Sequence, residues 1–163
     1  MHHHGYAWLG EKSTFDREGA RRPPGPAPAA SSPQDVIDRH RQAVVEFPSS
    51  GIPPIQTAHW LRKPASTIRG TWEEPKEAGE WLGRQLAESA PRYASESDRD
   101  ASRLVALVRA AVGRLVWGGD VSLGHYLTGT LFHSVAVVTC SPNRAEPGLP
   151  CPEGWAGAAG GPL

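Results

Sequence analysis

The run "TLFHSVAVVTC", residues 130–140, constrains this chain more than any other stretch. Its valines suit a pleated backbone, and both of its alternating sets are mostly apolar: Leu131, Val135 and Val137 on one side, Phe132, Ala136 and Val138 on the other. Such a strand needs cover on both faces and a neighbour on both edges. Ser122 to Leu127 precedes it across a Thr128-Gly129 turn signal, so the two read as a β-hairpin. One short partner leaves an unpaired edge, which invites a further strand. Residues 52–70, "IPPIQTAHWLRKPASTIRG", can supply it if they are strand, but Thr57 to Arg62 reads equally as a helical turn. The other source is the same strand of a second copy. Because the second apolar face also needs a layer, the sequence favours a homodimer through this sheet.

Three amphipathic helices are expected upstream. Ser32-Pro33-Gln34-Asp35 opens one over about 33–46, with Val36, His40, Ala43, Val44 and Phe47 at helical spacing and Pro48 as its end. Thr71-Trp72-Glu73-Glu74 reads as a capping box before Ala78, Trp81, Leu82, Gln85 and Leu86. Ser97-Asp98-Arg99-Asp100 starts the third, whose stripe of Ala101, Leu104, Val105, Leu107, Val108, Ala111, Val112 and Leu115 ends at Gly118-Gly119. The fold class is therefore α+β, three helices packed on a small antiparallel sheet containing a C-terminal β-hairpin. At 163 residues there is room for one domain, placed at 33–153. Residues 1–32 end in "EGARRPPGPAPAASS" and carry no periodic apolar stripe, so they read as a disordered or linker tail. Residues 154–163 form a Gly/Ala-rich tail with Trp155 available to dock back onto the domain.

Charge excludes more than it suggests. The chain carries 17 basic and 17 acidic residues, so its overall field draws it to neither nucleic acid nor an anionic membrane. Fourteen arginines against three lysines, with abundant Ala, Gly and Pro, point to a high-GC bacterial source. No stretch approaches the roughly 20 apolar residues of a membrane span, and the start lacks the apolar core of a signal peptide. A cytoplasmic location is expected, where cysteines usually stay reduced.

Cys140 and Cys151 then read first as two independent thiols, next as a disulfide across a Pro/Gly-rich loop, and last as a metal or catalytic pair. A metal set would join them to His125 and His133, one from each strand of the hairpin, as Cys2His2. No short Cys-x2-Cys or His-x3-His spacing supports it, so neither zinc nor any other cofactor is expected. A catalytic set of His125, His133 and Cys140 meets an obstacle in strand parity, which points His133 and Cys140 to opposite faces. His2, His3 and His4 read as a tag remnant or a metal-attracting end, the incidental reading being preferred. Lys63 and Arg69, with Ser66, offer phosphate contacts in a stretch that superficially looks like a helix-turn-helix, but Pro64 breaks its first helix. Glu73, Glu74, Asp98 and Asp100 are explained by the helix macrodipole. Trp60, Trp72, Trp81 and Trp117 read as core.

The run from Trp72 through "EWLGRQLAESAPRYASESDRDASRLVALV" to "RLVWGGDVSLGHYLTGTLFHSVAVVTCSPNR", residues 72–144, resembles small uncharacterised proteins of high-GC actinobacteria, a resemblance that implies no activity. "GYAWLGEK", residues 5–12, is similar to a short motif of Rhs/YD-repeat proteins, whose C-termini often carry toxin domains. The leading expectation is a non-catalytic cytoplasmic interaction or accessory protein with an unknown protein partner. A small hydrolase or nuclease-like domain of toxin type is the alternative, and a DNA-binding regulator ranks below it.

Overall fold

The computed structural model describes residues 1–154. Trp155 and the rest of the expected Gly/Ala tail lie outside the described residues. In chain order the elements are β1 (His2–Glu11), α1 (Lys12–Phe15), α2 (Glu18–Arg21), α3 (Gln34–Ser49), β2 (Gly70–Trp72), α4 (Pro75–Ser89), α5 (Glu96–Arg99), α6 (Ala101–Val116), β3 (Val121–Tyr126) and β4 (Leu131–Cys140). The ambiguous residues before β2 form two short 3-10 turns, Thr57–Arg62 and Ala65–Thr67. The chain is α+β, with one antiparallel sheet in the order β2-β1-β4-β3 and the β3–β4 hairpin at its C-terminal side.

The neighbour that β4 required is β1. Ten residue pairs join the two strands, from His2 opposite Cys140 to Glu11 opposite Leu131. This corrects the expected tail, since residues 2–11 form an inner strand. The rest of that segment is also tied down: Arg21 Nε donates to the Pro53 carbonyl at 2.8 Å, and Ile55 N donates to the Arg21 carbonyl at 3.1 Å. The physical reason for the misreading lies in the side chains. β1 fills its inward positions with histidine, glycine and aromatic residues, which carry little of the aliphatic alternation by which strands are recognised.

The sheet is covered on both faces by its own chain. On one face α4 and α6 bury Trp81, Leu82, Leu86, Leu104, Ala111 and Leu115 against Val121, Val135 and Val137. The two helices approach closely at Gly79, where an added Cβ would lie 2.3 Å from Val112 Cγ2. On the opposite face Trp60 and Leu61 of the first 3-10 turn pack with Tyr6, Ala136, Val138 and Cys140, and Ile68, Leu149 and Cys151 close the rim. A second copy is therefore not needed to cover β4, which removes the ground for a dimer through that strand. α3 buries only Phe47, while Val36 and Val44 of its expected core stripe stay exposed. Pro48 sits in its last turn rather than ending it. Trp117, expected in the core, is 75% exposed. Among the described residues no helix is long and apolar enough to cross a membrane.

Candidate metal centre

Strand register brings together residues that sequence spacing keeps apart. Successive side chains of a strand alternate between faces, so His2, His4 and Tyr6 share the face that Ala136, Val138 and Cys140 share on the neighbouring strand. Cys151 reaches the same place by a loop that turns back immediately after β4. Buried Asn143 holds that return: its Nδ2 donates to the Thr139 carbonyl at 2.9 Å and to both Asp120 carboxylate oxygens at 3.2 Å, and its Oδ1 accepts from Ala145 N and Glu146 N at 2.9 and 2.8 Å.

One ligand atom from each of His2, His4, Cys140 and Cys151 falls within 4.8 Å of all the others. His2 Nε2 and His4 Nε2 are 3.1 Å apart, and Cys151 Sγ is 3.5 Å from each. Zinc bonds of about 2.0–2.1 Å to nitrogen and 2.3 Å to sulfur, arranged tetrahedrally, place neighbouring ligand atoms about 3.3 to 3.8 Å apart. The two Cys151 Sγ distances fall in that range, the Nε2–Nε2 distance is slightly shorter, and the Cys140 sulfur lies within 4.8 Å of the other three. Three of the four residues are buried and Cys151 is partly exposed. Both cysteines are free thiols.

A further set of groups orients His4. Thr71 Oγ1 donates to Glu153 Oε2 at 2.9 Å and lies 2.8 Å from His4 Nδ1. With its hydroxyl proton committed to the carboxylate, Thr71 Oγ1 accepts from Nδ1–H, which leaves the Nε2 lone pair facing the cluster. A histidine whose outer nitrogen is held by a hydroxyl–carboxylate relay is the arrangement that metal-ligating histidines use. Burial holds the His4 imidazole down to about 4 and lowers His2, so both rings are neutral at pH 7. Burial also pushes the Cys140 thiol up to about 12, with the Cys151 sulfur adding to the effect. The Tyr6 hydroxyl, in the same packing cluster as both cysteines, is buried without a hydrogen-bond partner among the described residues.

The sites expected from sequence are placed differently. His125 and His133 face each other across β3 and β4, on the helix-covered side of the sheet, away from Cys140 and Cys151. Tyr93 stacks on His125 at 4.6 Å and its hydroxyl lies 2.9 Å from His133 Nδ1, while Asp98 Oδ2 is 3.3 Å from His125 Nδ1. Neither the catalytic set of His125, His133 and Cys140 nor the metal set that adds Cys151 is assembled. Cys140 and Cys151 do meet, but their histidines come from β1. Lys63 is buried and donates to the carbonyls of Phe47 and Ser50 at 2.8 and 2.6 Å, so it closes the end of α3 rather than reaching a phosphate. Arg69 is exposed, with its backbone N–H donating to the Gly5 carbonyl at 2.8 Å. Thr71 caps no helix, because α4 starts at Pro75 and Thr71 belongs to β2 and to the His4 relay. Asp100 does cap α6, accepting from Arg103 N at 2.8 Å.

The sequence signal for this centre is the histidine run itself, which by its place beside the start methionine reads as incidental and has no local link to cysteines more than a hundred residues away. No protein-family model matches this chain, and neither a curated protein nor a solved structure is significantly similar to it.

Proposed function

We propose that this protein is a zinc-binding, non-catalytic accessory or interaction protein of the bacterial cytoplasm. The observation that carries the reading is the clustering of ligand atoms from His2, His4, Cys140 and Cys151 within 4.8 Å of one another, with His4 oriented from behind by Thr71 and Glu153. Two thiolates and two imidazoles are the donor set that suits zinc, and four protein ligands leave no open position for a substrate or an activated water. The metal would tie the start of β1 to the loop after β4, closing the sheet at the end where His2 and Cys140 meet. Nucleic-acid binding is not part of this reading, because Lys63 is committed to the end of α3. An association of two copies would use the outer strand β3 or the exposed Trp117 rather than β4.

The test is metal analysis of chain purified without an affinity tag, followed by cobalt substitution. We expect one zinc per chain, loss of that zinc in Cys151→Ser and His4→Ala, and thiolate-to-cobalt absorption with tetrahedral ligand-field bands. Purified chain that retains no zinc after supply with one equivalent, or that binds equally well without Cys151, overturns the reading.

A further inference from the structure

We propose that this centre is also a thiol–disulfide switch, in which a peroxide oxidant joins Cys140 to Cys151 and expels the metal; the inference rests on the zinc reading above. The two sulfurs belong to one cluster, yet they differ in setting. Cys140 is fully buried and fixed in β4, between β1 and the 3-10 turn. Cys151 is partly exposed at the end of the ten residues "SPNRAEPGLP", 141–150, a loop that Asn143 holds near its start and that lies outside the strand ladder. The more accessible sulfur is therefore the one an oxidant meets first, and the buried one lies within the same 4.8 Å cluster to resolve it.

The chemistry closes without further reactants. The Cys151 thiolate attacks one oxygen of hydrogen peroxide, breaking the O–O bond, and becomes a sulfenic acid as hydroxide leaves. The Cys140 thiolate then attacks that sulfur, forms the S–S bond and displaces the second hydroxide. Two protons convert both hydroxides to water, so two thiolates lose two electrons and one peroxide gains them. The metal is left with only two neutral imidazoles and departs as the dication. Cys151 Sγ touches both rings, at 3.5 Å each, so its withdrawal toward Cys140 opens the centre from the loop side. Glu153 lies two residues further on and holds Thr71 of β2, so the same movement loosens the relay behind His4 and its hold on that outer strand.

The experiment treats zinc-loaded, untagged full chain with hydrogen peroxide and follows three quantities together: zinc captured by a chromogenic chelator, free thiols, and intact mass. The expected result is release of one zinc per chain in step with loss of both thiols and a mass lighter by two hydrogens, reversed by a dithiol reductant with added zinc. Cys140→Ser, refolded with or without zinc, should instead stop at an oxidised Cys151 with a heavier mass. A chain that holds no zinc at the outset sinks the metal reading and the switch with it. Zinc-loaded chain that gains oxygen atoms without forming the bond, or keeps its zinc after both thiols are gone, overturns the switch and leaves the metal centre standing.

Discussion

His133 is a buried polar residue whose Nδ1 lies at hydrogen-bond distance, 2.9 Å, from the Tyr93 hydroxyl inside the helix-covered core. Burial holds its imidazole down to about 4, from an ordinary value near 6.5. The unfolded chain therefore takes up a proton as pH falls through 6.5, while the folded chain does so only near 4. Stability contributed by the neutral ring is full above 6.5 and declines as pH drops toward 4, by about 3 kcal/mol across that window at 1.36 kcal/mol per unit. His133→Gln, which keeps a hydrogen-bonding group but cannot titrate, should flatten that part of the acid decline. Urea unfolding of both proteins in chelator at pH 7 and pH 4.5 measures it, with metal release removed from the comparison. Equal declines in the two proteins would mean that the ring is not the source.

At the scale of elements, α4 and α6 illustrate how one helix face can hold opposite demands. Gly79 and Gly83 are a turn apart on α4 and both face α6, but their surroundings differ. An added Cβ at Gly79 would meet Val112 Cγ2 at 2.3 Å, and a β-branched side chain has little freedom to turn away. At Gly83 the nearest atom would be Val108 Cγ2 at 3.4 Å, an ordinary contact. Glycine in a helix interior costs about 1 kcal/mol relative to alanine. Gly83→Ala should therefore raise the melting temperature, whereas Gly79→Ala should lower it, because overpacking of about 1–3 kcal/mol outweighs the propensity gain. Thermal unfolding of the pair checks this, and a shift of the same sign in both variants would contradict the packing account.

For the molecule as a whole, the decisive feature is that one chain covers both faces and both edges of β4. Val135 and Val137 have no exposure and lie under α4 and α6. Val135→Lys would place an ammonium with no partner in that layer, at a cost of several kcal/mol. The expected outcome is an unfolded or aggregated chain by circular dichroism and sedimentation. A folded monomer produced from a wild-type dimer would instead place Val135 at a subunit interface.

What the sequence determined by itself was local. Helices α4 and α6 and the β3–β4 hairpin follow from apolar periods of 3.6 and 2 and from turn residues adjacent in the chain, and these elements lie close to where the periods put them. The opposite facing of His133 and Cys140 was legible for the same reason, since strand parity needs no partner. The α+β class followed from these elements together. Strand β1 and the His/Cys cluster of the candidate metal centre were decided only by tertiary structure. His2 meets Cys140 because two strands pair in one antiparallel register, and a one-residue slip would turn His2 and His4 to the helix-covered face. No spacing in the chain encodes that register. A histidine-rich strand also lacks the aliphatic pattern that would announce it, because its inward positions are shaped by their partners: two imidazoles turned to the cysteine cluster, a tyrosine stacked on Trp60, and a glycine that leaves room for the rings of Trp72 and Trp81.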